Sequence, residues 1–467
     1  KILLYIFAFC FFTFTILPAI LMGTPASPAV GNWYQQFMSN LNGRTISDIF
    51  FIDSLTGWAV TPYRFQNDTA YVLKTTNSGD TWFIANSRIG QFVGHNKVKF
   101  LNSLTGFVCG VYQTTGFEGL SISTDGGFNW VSIDVPNVTY NDLSIYNEDT
   151  IWLAANESLV GGVFRTTNGG VSWEQQFTGG TQNPDHIYMY NGRLGFMSRN
   201  GASPNIYRTT NSGVNWNIVV TGQSFNCMQF LDSLAGWYAF GNNMYKTTDG
   251  GSNWVTQVLP FGGLISSSSI MKSFSVINKD TIWGGGGYLN FGGGRNRGIL
   301  YFTSNGGSNW YYQLPDTSYQ IPQYDFVKFL NKRIGWAYET YFSQQIGGLI
   351  STGIHTTNGG DTGFILGIQQ MSNNIPEHFR LFQNYPNPFN PVTNIGFRIV
   401  DFGFVTITVF DVTGKEITKL INTDLKAGEY NIDWNASAYS SGVYFYKLTV
   451  TAGREVFTDT KKMLMIK

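Results

Sequence analysis

One eight-residue turn motif recurs seven times and sets what this chain can fold into. It reads STDGGFNW at 123–130, with near copies TTNSGDTW at 75–82, TTNGGVSW at 166–173, TTNSGVNW at 209–216, TTDGGSNW at 247–254 and TSNGGSNW at 303–310. A seventh copy, TTNGGDTG at 356–363, keeps the turn and loses the Trp. A second motif alternates with the first: an apolar stretch, a polar turn, then Gly or Ile followed by an aromatic. Clear copies are FIDSLTGW at 51–58, FLNSLTGF at 100–107, FLDSLAGW at 230–237 and FLNKRIGW at 329–336, and looser ones end at Trp152, Phe196 and Trp283. The seven closing aromatics, from Trp58 to Trp336, are spaced 49, 45, 44, 41, 46 and 53 residues apart. That period is the length of one four-stranded blade.

Within the first unit, short apolar runs bounded by Gly, Asn, Asp or Pro predict strands over roughly 45–52, 57–62, 69–75 and 81–85. Composition agrees: 54 Gly, 38 Phe, 25 Tyr and 13 Trp, with only 12% charged residues, suit strands and tight turns. The fold expected is all-β, a seven-bladed β-propeller followed by a small Ig-like β-sandwich. The expected boundaries are a signal peptide at 1–29, the propeller at 30–368, a linker at 369–380 and the sandwich at 381–467. WYQQF at 33–37 resembles WEQQF at 173–177, the strand that follows a turn motif. Gly363 stands where the seventh Trp belongs, so residues 33–37 are expected to supply the outer strand of the last blade and close the ring.

The turn motif resembles the Asp-box of BNR-type propellers. The seven-unit arrangement over about 33–365 is similar to propellers of the photosystem II assembly and stability factor family. This resemblance implies a fold, because one fold hosts many functions. The motif residues are expected to act in folding. Asp125 and its counterparts Asn77, Asn168, Asn211, Asp249, Asn305 and Asn358 would accept turn amides. Gly79, Gly127, Gly170, Gly213, Gly251, Gly307 and Gly360 would permit a left-handed backbone. Trp82, Trp130, Trp173, Trp216, Trp254 and Trp310 would pack between sheets.

The end of the chain carries a second resemblance. LFQNYPNPFNP at 381–391, FDVTGK at 410–415, LKAGEY at 425–430 and SGVYFYK at 441–447 together resemble the type A sorting domain of the type IX secretion system. The resemblance implies a sandwich handled by the type IX machinery through residues 381–467. Alternating runs at 394–400, 403–410, 429–434, 442–450 and 454–466 suit such a sandwich independently. At the other end, residues 2–22 are nearly all apolar and small residues follow at 23–29, which reads as a cleaved export signal. A membrane anchor is the alternative. The expected location is secreted or at the outer cell surface, with no permanent membrane span.

The chemistry is sparse. Net charge is zero, so no electrostatic footprint for nucleic acid exists. Four scattered histidines, no CxxC and no DxDxDG loop leave no metal site, and no cofactor is expected. The run 284–294 is Gly-rich but lacks GK[ST], so a flexible loop in the sixth unit is expected instead of a phosphate cradle. Cys109 and Cys227 read as buried free thiols. Sialidases share the Asp-box, yet the nearest match to their Arg motif, Tyr63-Arg64-Phe65, lacks Ile-Pro. Asp53, Asp125, Asp232 and Asp249 belong to the repeat itself. No catalytic residue is therefore assigned. Candidate binding residues lie in loops on one face: Tyr63, Arg64, Phe65, Phe117, Arg199, Tyr288, Arg295, Arg297, Tyr341 and Phe342. The chain is expected to be a monomeric, non-enzymatic binding or scaffold module for a protein or glycan at the cell surface. A carbohydrate-active enzyme of the sialidase-like or related propeller type is the alternative, recognisable by carboxylates or an Arg triad clustered at the ring mouth.

Overall fold

The computed structural model describes residues 33–466, except 39–40, 63–69, 89–92, 113–118, 136–139, 156–160, 179–182, 316–320, 344–347, 361–364, 367–368, 373–375, 437–438 and positions 200, 202, 263, 293, 426 and 454. Among these residues every regular element is a strand. The first unit pairs Asp48–Phe51, Gly57–Val60, Ala70–Thr75 and Phe83–Arg88 in order, each antiparallel to the next. Six further sheets repeat this plan, starting from inner strands Val93–Phe100, Tyr140–Ile145, Pro184–Met189, Cys227–Phe230, Ser273–Val276 and Phe326–Phe329. Here they are numbered blades 1 to 7. Inner strands of successive blades touch, and that of blade 7 touches that of blade 1, so the ring is a closed seven-bladed propeller.

Closure uses the strand that the sequence likeness predicts. Tyr34–Phe37 pairs antiparallel with Gly348–Thr356, the third strand of blade 7, placing Gln36 opposite Gly353. The tryptophan missing at 363 is supplied from the same segment. Trp33 is 2% exposed and sits edge-on to Trp283 at 6.2 Å and to Phe329 at 6.1 Å. Its indole N–H donates to Gln313 Oε1 (3.0 Å). In other blades the motif Trp takes the same edge-on place, as Trp130 does against Phe100 at 6.0 Å and Trp82 against Phe51 at 5.8 Å.

The second motif builds the joints between blades. Its aromatic, on the second strand of one blade, stacks on the inner-strand aromatic of the next. Centroid separations are 3.6 Å for Trp58–Phe100, 4.9 Å for Phe196–Phe230, 4.6 Å for Trp283–Phe329 and 4.0 Å for Trp336–Phe51, the last crossing the closing seam. Such pairs add to plain area burial, and these rings are almost fully buried. The polar turn within the motif is an Asx turn. Asp53 Oδ1 accepts the N–H groups of Leu55 (2.8 Å) and Thr56 (2.6 Å), and Asp232 does the same for Leu234 and Ala235.

The glycines at 284–287 belong to a strand, Ile282–Asn290, and not to a loop. They are there because other atoms come close. A Cβ on Gly285 would lie 2.6 Å from the Tyr324 carbonyl, and one on Gly287 would lie 2.3 Å from the Tyr301 hydroxyl. Blade 6 gains a fifth strand, Ile365–Leu366.

The C-terminal unit has two four-stranded antiparallel sheets. One pairs Gln369–Ser372, Gly428–Asn435, Val392–Ile399 and Arg380–Leu381 in that order, and the other Glu416–Leu425, Gly403–Phe410, Gly442–Ala452 and Glu455–Met465. Alternate residues Ile395, Phe397, Val405, Ile407, Val409, Tyr446, Leu448 and Val450 point inward to one shared core. Gln369–Ser372 and Arg380–Leu381 pair into this sandwich, although both fall largely in the stretch read as a linker. The lead-in segment is tied down by Asn384, whose side chain donates to Thr393 Oγ1 (2.8 Å) and whose N–H donates to the Tyr446 hydroxyl (2.8 Å).

Trp33→Ala should cost about 3–5 kcal/mol of stability, the usual range for truncating a buried Trp. Tyr34, in the same strand, has an exposed side chain, so Tyr34→Ala should cost less than about 1 kcal/mol. Urea unfolding midpoints of the two variants check this contrast.

Candidate functional site

The turn motifs fold as local hydrogen-bond knots. Asp125 Oδ1 accepts the Ser123 hydroxyl (2.9 Å) and the N–H groups of Phe128 (3.0 Å) and Asn129 (2.9 Å), while Oδ2 accepts the Asn129 amide (2.7 Å). These donors, the Asn129 N–H foremost, hold its carboxyl down to about 2. Asp249 is held near 2 in the same way, led by the Asn253 N–H. Asn77, Asn168, Asn211, Asn305 and Asn358 each accept the hydroxyl of the Thr two residues earlier. The fifth-place glycine lies at φ between +77° and +93° in all seven copies, Gly360 and Gly127 marking the ends.

The motif also clasps the preceding blade, which the sequence does not announce. Its fourth-place carbonyl accepts side chains from across the seam. Gly126 O takes Trp58 Nε1 and Lys74 Nζ (both 2.9 Å). Ser212 O takes Trp152 Nε1 (3.2 Å), and Gly250 O takes Arg208 Nε (2.7 Å). Gly306 O takes Lys246 Nζ (3.2 Å) and Gln257 Nε2 (2.8 Å). Ser78 O takes Trp336 Nε1 (2.7 Å) and Gln36 Nε2 (2.9 Å). Lys74, Arg208 and Lys246, each the residue before a motif Thr, are thereby committed to blade joints.

With the repeat residues committed, a functional site is to be sought where the pattern breaks. The upper face is the end at which inner strands begin. There, six residues before the Asp or Asn of the first hairpin, an Asn or Ser in blades 1, 2 and 5 donates to a backbone carbonyl of the next blade, and Asn141 of blade 3 donates to Asp185 Oδ1 of blade 4 (3.3 Å). Asn96 reaches Tyr140 O (2.8 Å), Asn226 reaches Met271 O (3.0 Å), and Ser47 bonds His95 O (2.5 Å). Blades 6 and 7 carry Lys272 and Asp325 at this place, and they form an ion pair at 2.5 Å. Beside them lies Glu339, 8% exposed, within hydrogen-bonding reach of the Asp325 carboxyl. Burial first, then the Asp325 charge, pushes the Glu339 carboxyl well above the ordinary range, with Lys272 opposing. At the equivalent position the other blades carry Thr61, Gly110, Ala155, Arg199, Phe240 and Gly286, so Glu339 is the one acid there.

Of the sequence candidates, Arg297 and Tyr341 gather here. Both lie within electrostatic reach of Tyr324, as does Glu339. Arg297 Nη2 donates to Pro315 O (3.2 Å). These two and Tyr288 stand on strands, not loops, because the second and third strands of blades 6 and 7 run long: Ile282–Asn290, Asn296–Thr303, Gly335–Ser343 and Gly348–Thr356. Tyr288 is half-buried and Arg295 is exposed in the tight turn between the blade 6 strands. Arg199 is apart from them in blade 4, donating to the Tyr207 hydroxyl (3.1 Å) and lying over the Phe177 ring. Tyr63, Arg64, Phe65 and Phe117 fall outside the described residues, as does the Phe342 side chain. Sequence reading missed Lys272, Asp325 and Glu339. Superposing the seven repeats position by position points to them, because Lys272 and Asp325 stand where four blades carry Asn or Ser and blade 4 carries Asp185, and Glu339 is the one acid at its own position.

Among the described residues no group of three or more His, Cys, Asp or Glu could hold a metal. Cys109 and Cys227 are free thiols, and burial pushes the Cys227 thiol up to about 12. No helix among the described residues is long and apolar enough to cross a membrane.

Residues 383–465 match the family of secretion system C-terminal sorting domains. A tail of this kind takes the chain out by the type IX route to the cell surface or the extracellular space. No curated protein matches the chain. Solved structures similar to it include YCF48 bound to a D1 peptide, at 16% identity over 72% of this chain and 100% of that one, with a TM-score of 0.49. YCF48 from Cyanidioschyzon merolae is 16% identical over 69% and 98%, with a TM-score of 0.47. PorZ, a surface component of the type-IX secretion system of Porphyromonas gingivalis, is 14% identical over 90% of this chain and 59% of its own, with a TM-score of 0.47.

Glu339 keeps its proton in the folded chain at pH values where the unfolded chain, at an ordinary 4.5, has lost it. The folded state then binds more protons, so this contribution to stability is full below that ordinary value and declines as pH rises through the raised one. Melting curves between about pH 5 and pH 9 should show wild type losing stability relative to Glu339→Gln, the gap widening with pH.

Proposed function

We propose that this exported propeller is a non-enzymatic binding or scaffold module, and that its partner, a protein or glycan at the cell surface, docks on the upper face over blades 6 and 7. The observation that supports this most is where the repeat breaks. Lys272, Asp325, Glu339, Arg297 and Tyr341 serve no recurring structural duty and lie on one part of one face. Arginine and tyrosine beside a desolvated charge cluster are typical anchors for a partner. On this reading residues 30–368 are the working module, 381–467 deliver it, and 1–29 start its export.

The raised Glu339 carboxyl favours a second reading, since a general acid needs such a shift. Its neighbour argues against glycoside hydrolysis. Asp325 is in hydrogen-bonding reach, whereas the two carboxyls of a glycosidase stand about 5–9.5 Å apart to admit the sugar. Asp325 is also tied to Lys272.

Arrays of cell-surface glycans and proteins, probed with wild type and with Arg297→Ala/Tyr341→Ala, test both readings. The double variant should lose at least about tenfold in affinity for whatever wild type retains. Turnover of any glycoside that Glu339→Gln abolishes would establish the enzyme reading instead.

A further inference from the structure

The central channel holds a second departure from sevenfold regularity. The residue three before the Asp or Asn of each first hairpin forms one ring around it: Phe50, Lys99, Ser144, Tyr188, Gln229, Ser275 and Lys328. Inner strands are sheet edges, and their channel-side N–H groups need acceptors. In four successive blades the ring side chain supplies one to the next blade. Ser144 accepts from Met189 N–H (2.9 Å), Tyr188 from Phe230 (2.9 Å), Gln229 from Val276 (2.8 Å) and Ser275 from Phe329 (3.1 Å).

Across the other three seams the ring positions are Lys328, Phe50 and Lys99, and none of these side chains has an acceptor. By repeat equivalence, the N–H groups of Phe51, Phe100 and Ile145 face them. One arc of the channel, from blade 7 round to blade 3, therefore offers three backbone donors and two ammonium groups. No acidic residue stands in this ring. Lys99 Nζ lies 5.5 Å from the centre of the Phe50 ring. In the layer above, Asp48 lies 4.0 Å from Lys97 and accepts Val98 N–H (3.0 Å), while Asp142 lies 3.4 Å from His186, accepts Ile187 N–H (3.2 Å) and is also within electrostatic reach of Lys99. Burial, then repulsion from Lys99, lowers Lys328 to about 8, the mark of a cation short of counter-charge. A cavity of about 90 Å³ lies at the blade 7–1 seam, lined by Asp48, Lys328, Ile49, Phe51 and Ser273 among others.

We propose that this arc of the channel binds a small oxyanion, held by the Lys99 and Lys328 ammonium groups and the inner-edge N–H groups beside them. Such charge-assisted bonds are strong inside a protein, and the anion relieves the mutual repulsion of Lys99 and Lys328.

Titration calorimetry of the full chain with sodium sulfate, at constant ionic strength, tests this. One saturable site is expected, with inorganic phosphate competing for it. Lys99→Met and Lys328→Met should each weaken it at least about tenfold, the effect of losing a hydrogen bond to a charged group. Lys447→Met, on the sandwich surface, should leave it unchanged. Without anion, both channel variants should melt no lower than wild type, since each removes one of two mutually repelling charges. The proposal is overturned by absence of saturable binding, by binding indifferent to both channel lysines, or by channel variants that melt well below wild type without anion.

Discussion

Each blade of this propeller leaves polar groups that only its neighbour can satisfy. The turn-motif carbonyl at Gly126, Ser78 or Gly306 receives indole, lysine or glutamine donors from the preceding blade. The inner-edge N–H groups at Met189, Phe230, Val276 and Phe329 look to ring side chains of the preceding blade. A single blade would leave both sets to water and its aromatic faces bare. The stack of Trp336 on Phe51 and the bond from Trp336 to Ser78 show the last joint made like the others. The unit of stability is thus the seam between blades, as expected for repeats that cannot bury their faces alone.

This dependence explains what the sequence revealed. Motifs that serve seams recur, so their spacing, their glycines and their aromatics could be read directly, down to Trp33 standing in for the tryptophan that residue 363 lacks. Asp53 and Asp125 were legible because an Asx turn is a local event. The clasp made by Lys74, Arg208 and Lys246 was not, because its partner carbonyl lies in another blade, 42 to 60 residues away. The glycine run at 284–294 points to a loop because local preference favours one, and close approach of Tyr324 at 285 and of Tyr301 at 287 overrides that preference.

The residues that set this propeller apart lie where the pattern lapses. Lys272 and Asp325 form an ion pair where blades 1, 2 and 5 bond a side chain to a carbonyl, and Glu339 puts an acid where no other blade has one. Lys99 and Lys328 occupy ring positions where blades 3 to 6 place an acceptor. Each lapse forgoes a hydrogen bond that the neighbouring seams keep. Both are concentrated around blades 6, 7, 1 and 2, so the ring is regular in backbone and lopsided in chemistry.

Closure by Tyr34–Phe37 has a consequence for the order of assembly. The bond from the Tyr338 hydroxyl to Gln36 joins residues 302 positions apart. The first strand of the propeller thus finds its partner only when the seventh blade exists, and until then the outer edge of that blade is open. Loop entropy adds little to this wait, because its cost grows only with the logarithm of length. The delay is one of sequence and not of energy. A circular permutant opened at another hairpin would keep every seam but move the late step elsewhere, so the place where this ring locks is a property of where its thread is cut.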